Sequence, residues 1–373
     1  MQKVIGLITA NYSTKKPCEL AVSRPMASLP YGGRYRTIDF ALSNMVNCGI
    51  RTVGLVMPYN YRSLIDHVDS GKDWMLDRKN GGLFMVPGNA YGTTKGGMRF
   101  LLRDIISNKT LFQRSDKPYV VMMGTNVIFN MDLNTIIEAH EKSGAQMTVV
   151  YCKATHNIED ETKLDINENG RLTGVSAGVA YGDNASMDCC IVNRETLLQI
   201  IDHYQSADYL DLLEALQGDF GNIDVCSYKY KGEVVGVFSE KSLYRRSMDL
   251  LDQTVADRLF DPERPILTKA HDVPPSRYAT GSHACNSIIS AGCIIKGTVR
   301  NSILSRGVVI EEGASVTNSI INQSCIIKSG ARVENAILDK NNVVPTNTEL
   351  RGTPENILVL GKAPLTSDTT IAR

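Results

Sequence analysis

Apolar and polar positions follow two different rhythms along the first two-thirds of the chain. Short runs rich in Val, Ile and Met at residues 3–9, 52–57, 119–123 and 146–152 read as buried strands. Between them, residues 38–48, 61–68, 97–106 and 133–142 carry the apolar spacing of helices. Strand and helix taking turns in this way predict a mostly parallel α/β sheet. Such sheets bind ligands beyond the carboxyl ends of their strands, so the loops after residues 9, 57 and 123 are expected to face any substrate.

Near residue 255 the rhythm changes. Beyond the proline-bearing stretch 261–278 the helical spacing stops and a repeat begins. Asn-Ser-Ile-Ile starts at 286, Asn-Ser-Ile-Leu at 301, Asn-Ser-Ile-Ile at 318 and Asn-Ala-Ile-Leu at 335, so the spacing is 15, 17 and 17 residues. Further aliphatic positions recur inside each unit, as at 293–295, 308–310, 325–327 and 343–344. Short strands with Gly or Asn at the corners, about three to a coil, describe a parallel β-helix. One coil cannot bury its apolar face alone, so the coils must stack. The regular Asn-Ser-Ile register argues against an ordinary β-sandwich. The division implied is an α/β domain over residues 1–255 and a linker plus β-helix over 256–373, with repeats at about 284–350.

Composition narrows the class. The 373 residues are enough for two domains, and 40 Lys and Arg cancel 40 Asp and Glu. That balance lacks the basic excess of a strongly electrostatic nucleic-acid binder. Nine cysteines, with no C-x-x-C pair among them, read as reduced, packed thiols of a cytoplasmic protein. Six scattered histidines form no H-x-x-x-H pair, so no zinc site is expected. The apolar start runs straight into polar residues, a first strand rather than a signal peptide. No stretch is long enough to span a membrane.

The chemistry is carried by residues 31–50, which read YGGRYRTIDFALSNMVNCGI. This segment resembles the "FGGKYRIIDFxLSNxxNSGI" block of bacterial glucose-1-phosphate adenylyltransferases. Residues 59–67, YNYRSLIDH, are similar to the "QYxxxSLxxHI" block that follows it, and Pro274-Pro275 falls where that family has a proline pair. The resemblance runs over essentially the whole chain. It implies a Rossmann-like, GT-A-like nucleotidyltransferase domain followed by a left-handed parallel β-helix, and a reaction joining ATP and glucose 1-phosphate into ADP-glucose and pyrophosphate. Such a site needs a glycine loop around the triphosphate, carboxylates for Mg²⁺ and cations for both substrates' phosphates.

Each of these parts is altered. The family's "AGGxGxRL" loop is replaced by TANYSTKKPCEL at residues 9–20, and no glycine lies between Gly6 and Gly32. Lys15 and Lys16 in that loop read as solvated surface. The Asp of "GDHIYKMDY" falls on Asn126, and the Asp of "YWxDVGT" falls on Gly236. Asp132 reads as a helix cap. The "FxEKP" lysine has no counterpart in residues 172–180, and residues 208–212 resemble "DFGKD" without its lysine. The "KPA" lysine aligns with Arg24, two residues out of register, and "WYRGTADA" has become AYGTTKG at 90–96.

A framework kept while its substrate positions are lost resembles the D-type subunit of this family. The resemblance implies a regulatory partner of a catalytic subunit in a heterotetramer, needing no cofactor of its own because the partner holds Mg²⁺. Arg24, Arg34, Arg36 and Arg51 are the candidates for a sugar-phosphate or nucleotide effector, since guanidinium forks suit phosphate oxygens. Pairing of Arg34, Arg36 and Arg51 with Asp39 or other carboxylates is the competing reading. Arg245 and Arg246 read as a solvated helix face. Gly81-Gly82 and Gly96-Gly97 are expected to bracket a mobile loop, and Trp74 to be buried. The alternative function is an active nucleotidyltransferase with its metal on Asp132 or Asp188. An acyltransferase would have to rely on His283.

Overall fold

The computed structural model describes residues 3–11, 18–88, 100–205, 211–218 and 222–363. A nine-stranded sheet forms the first unit. Strands Gly82–Pro87, Thr52–Met57, Val4–Thr9 and Tyr119–Gly124 lie in that order, all parallel. The chain starts at the centre, works outward and then crosses to the other side, so the order reverses beside Val4–Thr9. Beyond Tyr119–Gly124 the sheet turns antiparallel, except that Val225–Lys229 pairs parallel with Met147–Lys153. Asn184–Asn193 runs against it, Met147–Lys153 runs against Asn184–Asn193, and Ile158–Ile166 pairs antiparallel with Leu172–Val179. A mostly parallel sheet therefore describes only one half. From residue 147 to 193 the connections are too short to hold crossover helices, and hairpins follow.

The glycine pair at 81–82 opens the edge strand Gly82–Pro87 rather than a loop. Gly96, Gly97 and the rest of residues 89–99 lie outside the described residues. Trp74 is fully buried.

The motif around Asp39 and Asn44 is a framework in a literal sense. Helix Thr37–Asn47 starts where the Asp39 carboxylate accepts the Arg36 backbone N–H at 2.9 Å. The other Asp39 oxygen meets Nε2 of His67 at 2.5 Å, tying helix Arg62–Val68 to the first helix. The Asn44 amide donates to the Phe129 carbonyl and accepts from the Met131 N–H, both at 2.8 Å. These bonds fix the helix to the segment beyond strand Tyr119–Gly124, where the cleft floor is built.

From 277 to 360 the chain winds as a left-handed β-helix of three five-stranded parallel sheets. The repeat has a conformational cause. Asn286, Asn301, Asn318 and Asn335 all sit at φ between 44° and 49°, the left-handed region that Asn tolerates better than other side chains. The serine after each corner links coils, since the Ser302 N–H donates to the Ser287 hydroxyl and the Ser319 N–H to the Ser302 hydroxyl, both at 3.1 Å. Asn301→Gly should therefore be almost neutral, whereas Asn301→Val should cost about 1–2 kcal/mol, read from urea unfolding midpoints.

The Ile-Ile doublets split between two cores. Leu304, Ile321 and Leu338 fill the inside of the coil. Ile303, Ile320 and Ile337, stacked in register on one another, belong to the core of the α/β unit. The β-helix is thus a wall of the first unit, not an appendage. Among the described residues no helix is long and apolar enough to cross a membrane.

Candidate functional site

The carboxyl ends of the parallel strands converge on Thr9, Met57, Gly88 and Gly124. Gly88 packs so closely that a Cβ there would lie 2.4 Å from the Met57 carbonyl oxygen. Asn11, where the family's first loop glycine stands, donates its amide to Asp104 at 2.7 Å, so a polar side chain occupies backbone space. Lys15, Lys16, Lys95 and residues 208–210 fall outside the described residues.

The two lost metal positions come together, as their alignment requires. Strand Val234–Gly236 pairs antiparallel with Val127–Phe129, placing Gly236 opposite Val127 and next to Asn126. Neither position is a vacancy. The buried Asn126 amide donates to the Val237 carbonyl at 3.0 Å, and the Val237 N–H returns a bond to the Asn126 carbonyl at 2.7 Å. At Gly236 a Cβ would lie 2.5 Å from Cε2 of the buried Phe238 ring. A hydrogen-bond donor and an aromatic ring thus stand where two carboxylates are needed. These residues do not fit Mg²⁺, a hard cation that requires charged oxygen ligands.

The alternative metal carboxylates are placed apart in role. Asp132 caps helix Leu133–Ser143 by accepting the Asn134 N–H at 2.9 Å, and the Cys48 thiol lies 3.4 Å from it. Asp188 is buried at φ 48° beside Gly124. Among the described residues, no three His, Cys, Asp or Glu side chains converge as a metal site. On the sugar side, the hairpin that lacks the family lysine carries Lys163 opposite Ser176, paired with Asp183 at 3.2 Å. Nothing in the linear motif pointed to Lys163, because it comes from the neighbouring strand.

The candidate arginines part company. Arg51 donates to the Val46 and Ile50 carbonyls at the end of helix Thr37–Asn47, while Arg36 stands at its start. Eleven residues of helix separate them by roughly 16 Å, so Arg51 does not join an Arg34–Arg36 cluster. Its job is to cap the helix carbonyls.

Arg24 and Arg36 instead meet side chains that the sequence did not single out. They line a cavity of about 400 Å³ with Arg62, Asp66, Lys340 and Lys362, between the α/β unit and the β-helix. Arg24 is fixed by Asp339 at 2.9 Å, and Arg36 donates to the Ser63 carbonyl at 2.6 Å. The exposed Arg34 lines a small adjoining recess with Arg36, Arg306 and Lys340. Burial, eased only in part by Asp39, brings the Arg36 pKa down to about 10. Burial first, then Arg36 and Arg24, brings Lys340 down to about 7. Five cations face the one carboxylate of Asp66, which is the electrostatic signature of an anion site.

Arg246 is not simply solvated. It pairs with Asp249 at 2.9 Å and reaches the His156 ring, while Arg245 is exposed. The Tyr244 hydroxyl of the same helix donates to the Asn318 carbonyl at 2.6 Å, docking helix Glu240–Met248 on a coil corner.

A switched parallel sheet with its cleft at the strand ends, walled by a hexapeptide β-helix, defines a sugar-nucleotide transferase scaffold. Residues 16–163 match the nucleotidyl transferase family and residues 273–356 the GlmU-like C-terminal hexapeptide family. The chain is 31% identical over 96% of its length, and 96% of the relative's, to the glycogen biosynthesis protein GlgD of Bacillus subtilis. It is 32% identical to GlgD of Geobacillus stearothermophilus over 84% of this chain and 83% of that one. The glucose-1-phosphate adenylyltransferase of Halalkalibacterium halodurans is 31% identical over 97% of this chain and 96% of that one. The chain belongs to the glucose-1-phosphate adenylyltransferase family and is similar along nearly its whole length to GlgD of Bacillus subtilis.

Proposed function

We propose that this chain is a regulatory, catalytically impaired subunit that modulates a catalytic homologue in glycogen biosynthesis. The homologue would convert ATP and glucose 1-phosphate into ADP-glucose and pyrophosphate and would hold the Mg²⁺. The observation that carries the reading is the pairing of Asn126 with Val237 and of Gly236 with the Phe238 ring, which leaves the metal-ligand positions uncharged. Without a cation at the α-phosphate, the charge that develops there is not neutralised. The likeness to GlgD supports the pathway, and the kept framework supports a chain that still folds to pair with its homologue in a heterotetramer. We place it in the cytoplasm, where its free cysteines stay reduced.

The same reading assigns the cationic cleft around Arg24, Arg36 and Arg34 to a sugar-phosphate or nucleotide effector. The test is ADP-glucose formation by the purified chain, by the catalytic homologue and by the two together. The chain alone should be at least about 10³-fold slower than the mixture, and the mixture should differ from the homologue in rate or effector response. Ordinary turnover by the chain alone would sink the reading and favour a rearranged metal site near Asp188.

A further inference from the structure

The cleft is built around a lysine that lacks a fixed partner. Arg24 is committed to Asp339 and to the Leu20 carbonyl, and Arg36 to the Ser63 carbonyl. Lys340, which follows Asp339 at the β-helix corner, has no ion pair or side-chain hydrogen bond among the described residues. Every element packed against it brings charge of the same sign. Arg24 comes from the segment before the motif, Arg36 from the start of the first helix, Arg62 from the second helix and Lys362 from the C-terminal strap. Arg306 and Arg34 add theirs from the adjoining recess. Against these, among the described residues, stand Asp66 at the rim, Asp339, already paired with Arg24, and Asp39, already bonded to His67.

We propose that the cleft takes up a phosphate-type dianion together with a proton, carried on the Lys340 ammonium, so that effector affinity rises as pH falls. The inference rests on the effector reading above. The physical cause is crowding. Without a bound anion, a fifth positive charge in the cleft is repelled by its neighbours and poorly hydrated. A dianion placed among them reverses the sign of the local field and favours the charged lysine. The empty-cleft pKa of about 7 puts this exchange in the physiological range. The sign follows by linkage: below pH 7 Lys340 is already charged and affinity is full, and above it each binding event must also capture a proton. The two histidines that face the same charges do not compete for this role. Burial holds His67 below its usual value, and burial with Arg306 and Lys269 pushes His271 down to about 4, so neither is the group that captures a proton above pH 7.

Inorganic sulfate is the probe, because it stays a dianion across the whole range. Calorimetric titration of the full chain should show affinity falling about tenfold from pH 6 to pH 8. Repeating pH 8 in two buffers of different ionisation enthalpy should show uptake of close to one proton. Lys340→Arg should bind with affinity independent of pH, and Lys340→Met weakly and equally flat, each with unchanged circular dichroism. Flat wild-type binding, or a slope that survives in Lys340→Arg, overturns the linkage and leaves the anion site standing. No sulfate binding at any pH overturns both. Displacement of sulfate by glucose 6-phosphate, or instead by ADP, assigns the dianion to a sugar phosphate or a nucleotide. Displacement by neither overturns a phosphoester ligand.

Discussion

Gly236→Asp should destabilise the protein by about 1–3 kcal/mol and, even combined with Asn126→Asp, should restore no Mg²⁺-dependent ADP-glucose formation. The first atom of any side chain at 236 already meets the buried Phe238 ring at 2.5 Å, so the ring or the strand must shift to admit it. Gly236→Ala should show part of the same loss through Cβ alone. Asn126→Asp adds an independent fault. A carboxylate there faces the Val237 carbonyl that the amide now satisfies, which exchanges a hydrogen bond for a repulsion worth about 1–3 kcal/mol. The two positions are close enough that their effects should not simply add. Urea unfolding with a direct activity assay checks both halves of the expectation. A stable, Mg²⁺-dependent double variant would mean that the cleft had kept its catalytic geometry and lost only its ligands.

Asp339→Ala should cost more, about 3–5 kcal/mol, because it strands a buried guanidinium. The Arg24 and Asp339 side chains are 6% and 2% exposed, and their 2.9 Å contact joins the segment before the motif to the β-helix. Asp339 also ends a row of corner side chains, with Asn322 at 3.4 Å and Ser305 at 3.3 Å from Asn322. Removing both partners, as in Arg24→Met with Asp339→Leu, should cost less than Asp339→Ala alone, since no bare charge remains. A double-mutant cycle on unfolding free energy decides it. If Asp339→Ala costs under about 1 kcal/mol, the contact behaves as an ordinary surface pair and does not tether the two units.

What could be read from the linear pattern was whatever depends on neighbours in sequence. Thr52–Met57 is a strand over the predicted residues, because a continuous apolar run bounded by turn residues needs only its own rhythm. The Asn corners were legible because each coil places the residue at that corner at positive φ. Asn126 and Gly236 were legible as changed positions. What replaced them was not, since Phe238 takes over the site through its ring position, which no spacing records. The anion cleft was half legible. Arg24 and Arg36 were candidates and Arg62 lies in the neighbouring block 59–67, but Lys340 and Lys362 reach them through packing across some three hundred residues of chain. Arg51 misled for the converse reason, being near Arg34 and Arg36 in sequence but at the far end of an intervening helix. The antiparallel half of the sheet was hidden because hairpin strands and crossover strands carry the same apolar runs.

The division of labour among the β-helix corners also sets where this chain can change length. Two of the three corner rows are occupied: the Asn row touches helix Glu240–Met248 through Asn318, and the Ser305–Asn322–Asp339 row touches Arg24. The third row, at 296–297, 311–314, 328–331 and 345–348, is largely exposed among the described residues. It is also where the first coil is two residues shorter than the others, turning on Gly297, whose Cβ would lie 2.2 Å from the Ala314 carbonyl oxygen. Evolutionary insertions and engineered loops belong on that row, because an added residue there lengthens a turn without moving the isoleucines that form the wall of the neighbouring unit.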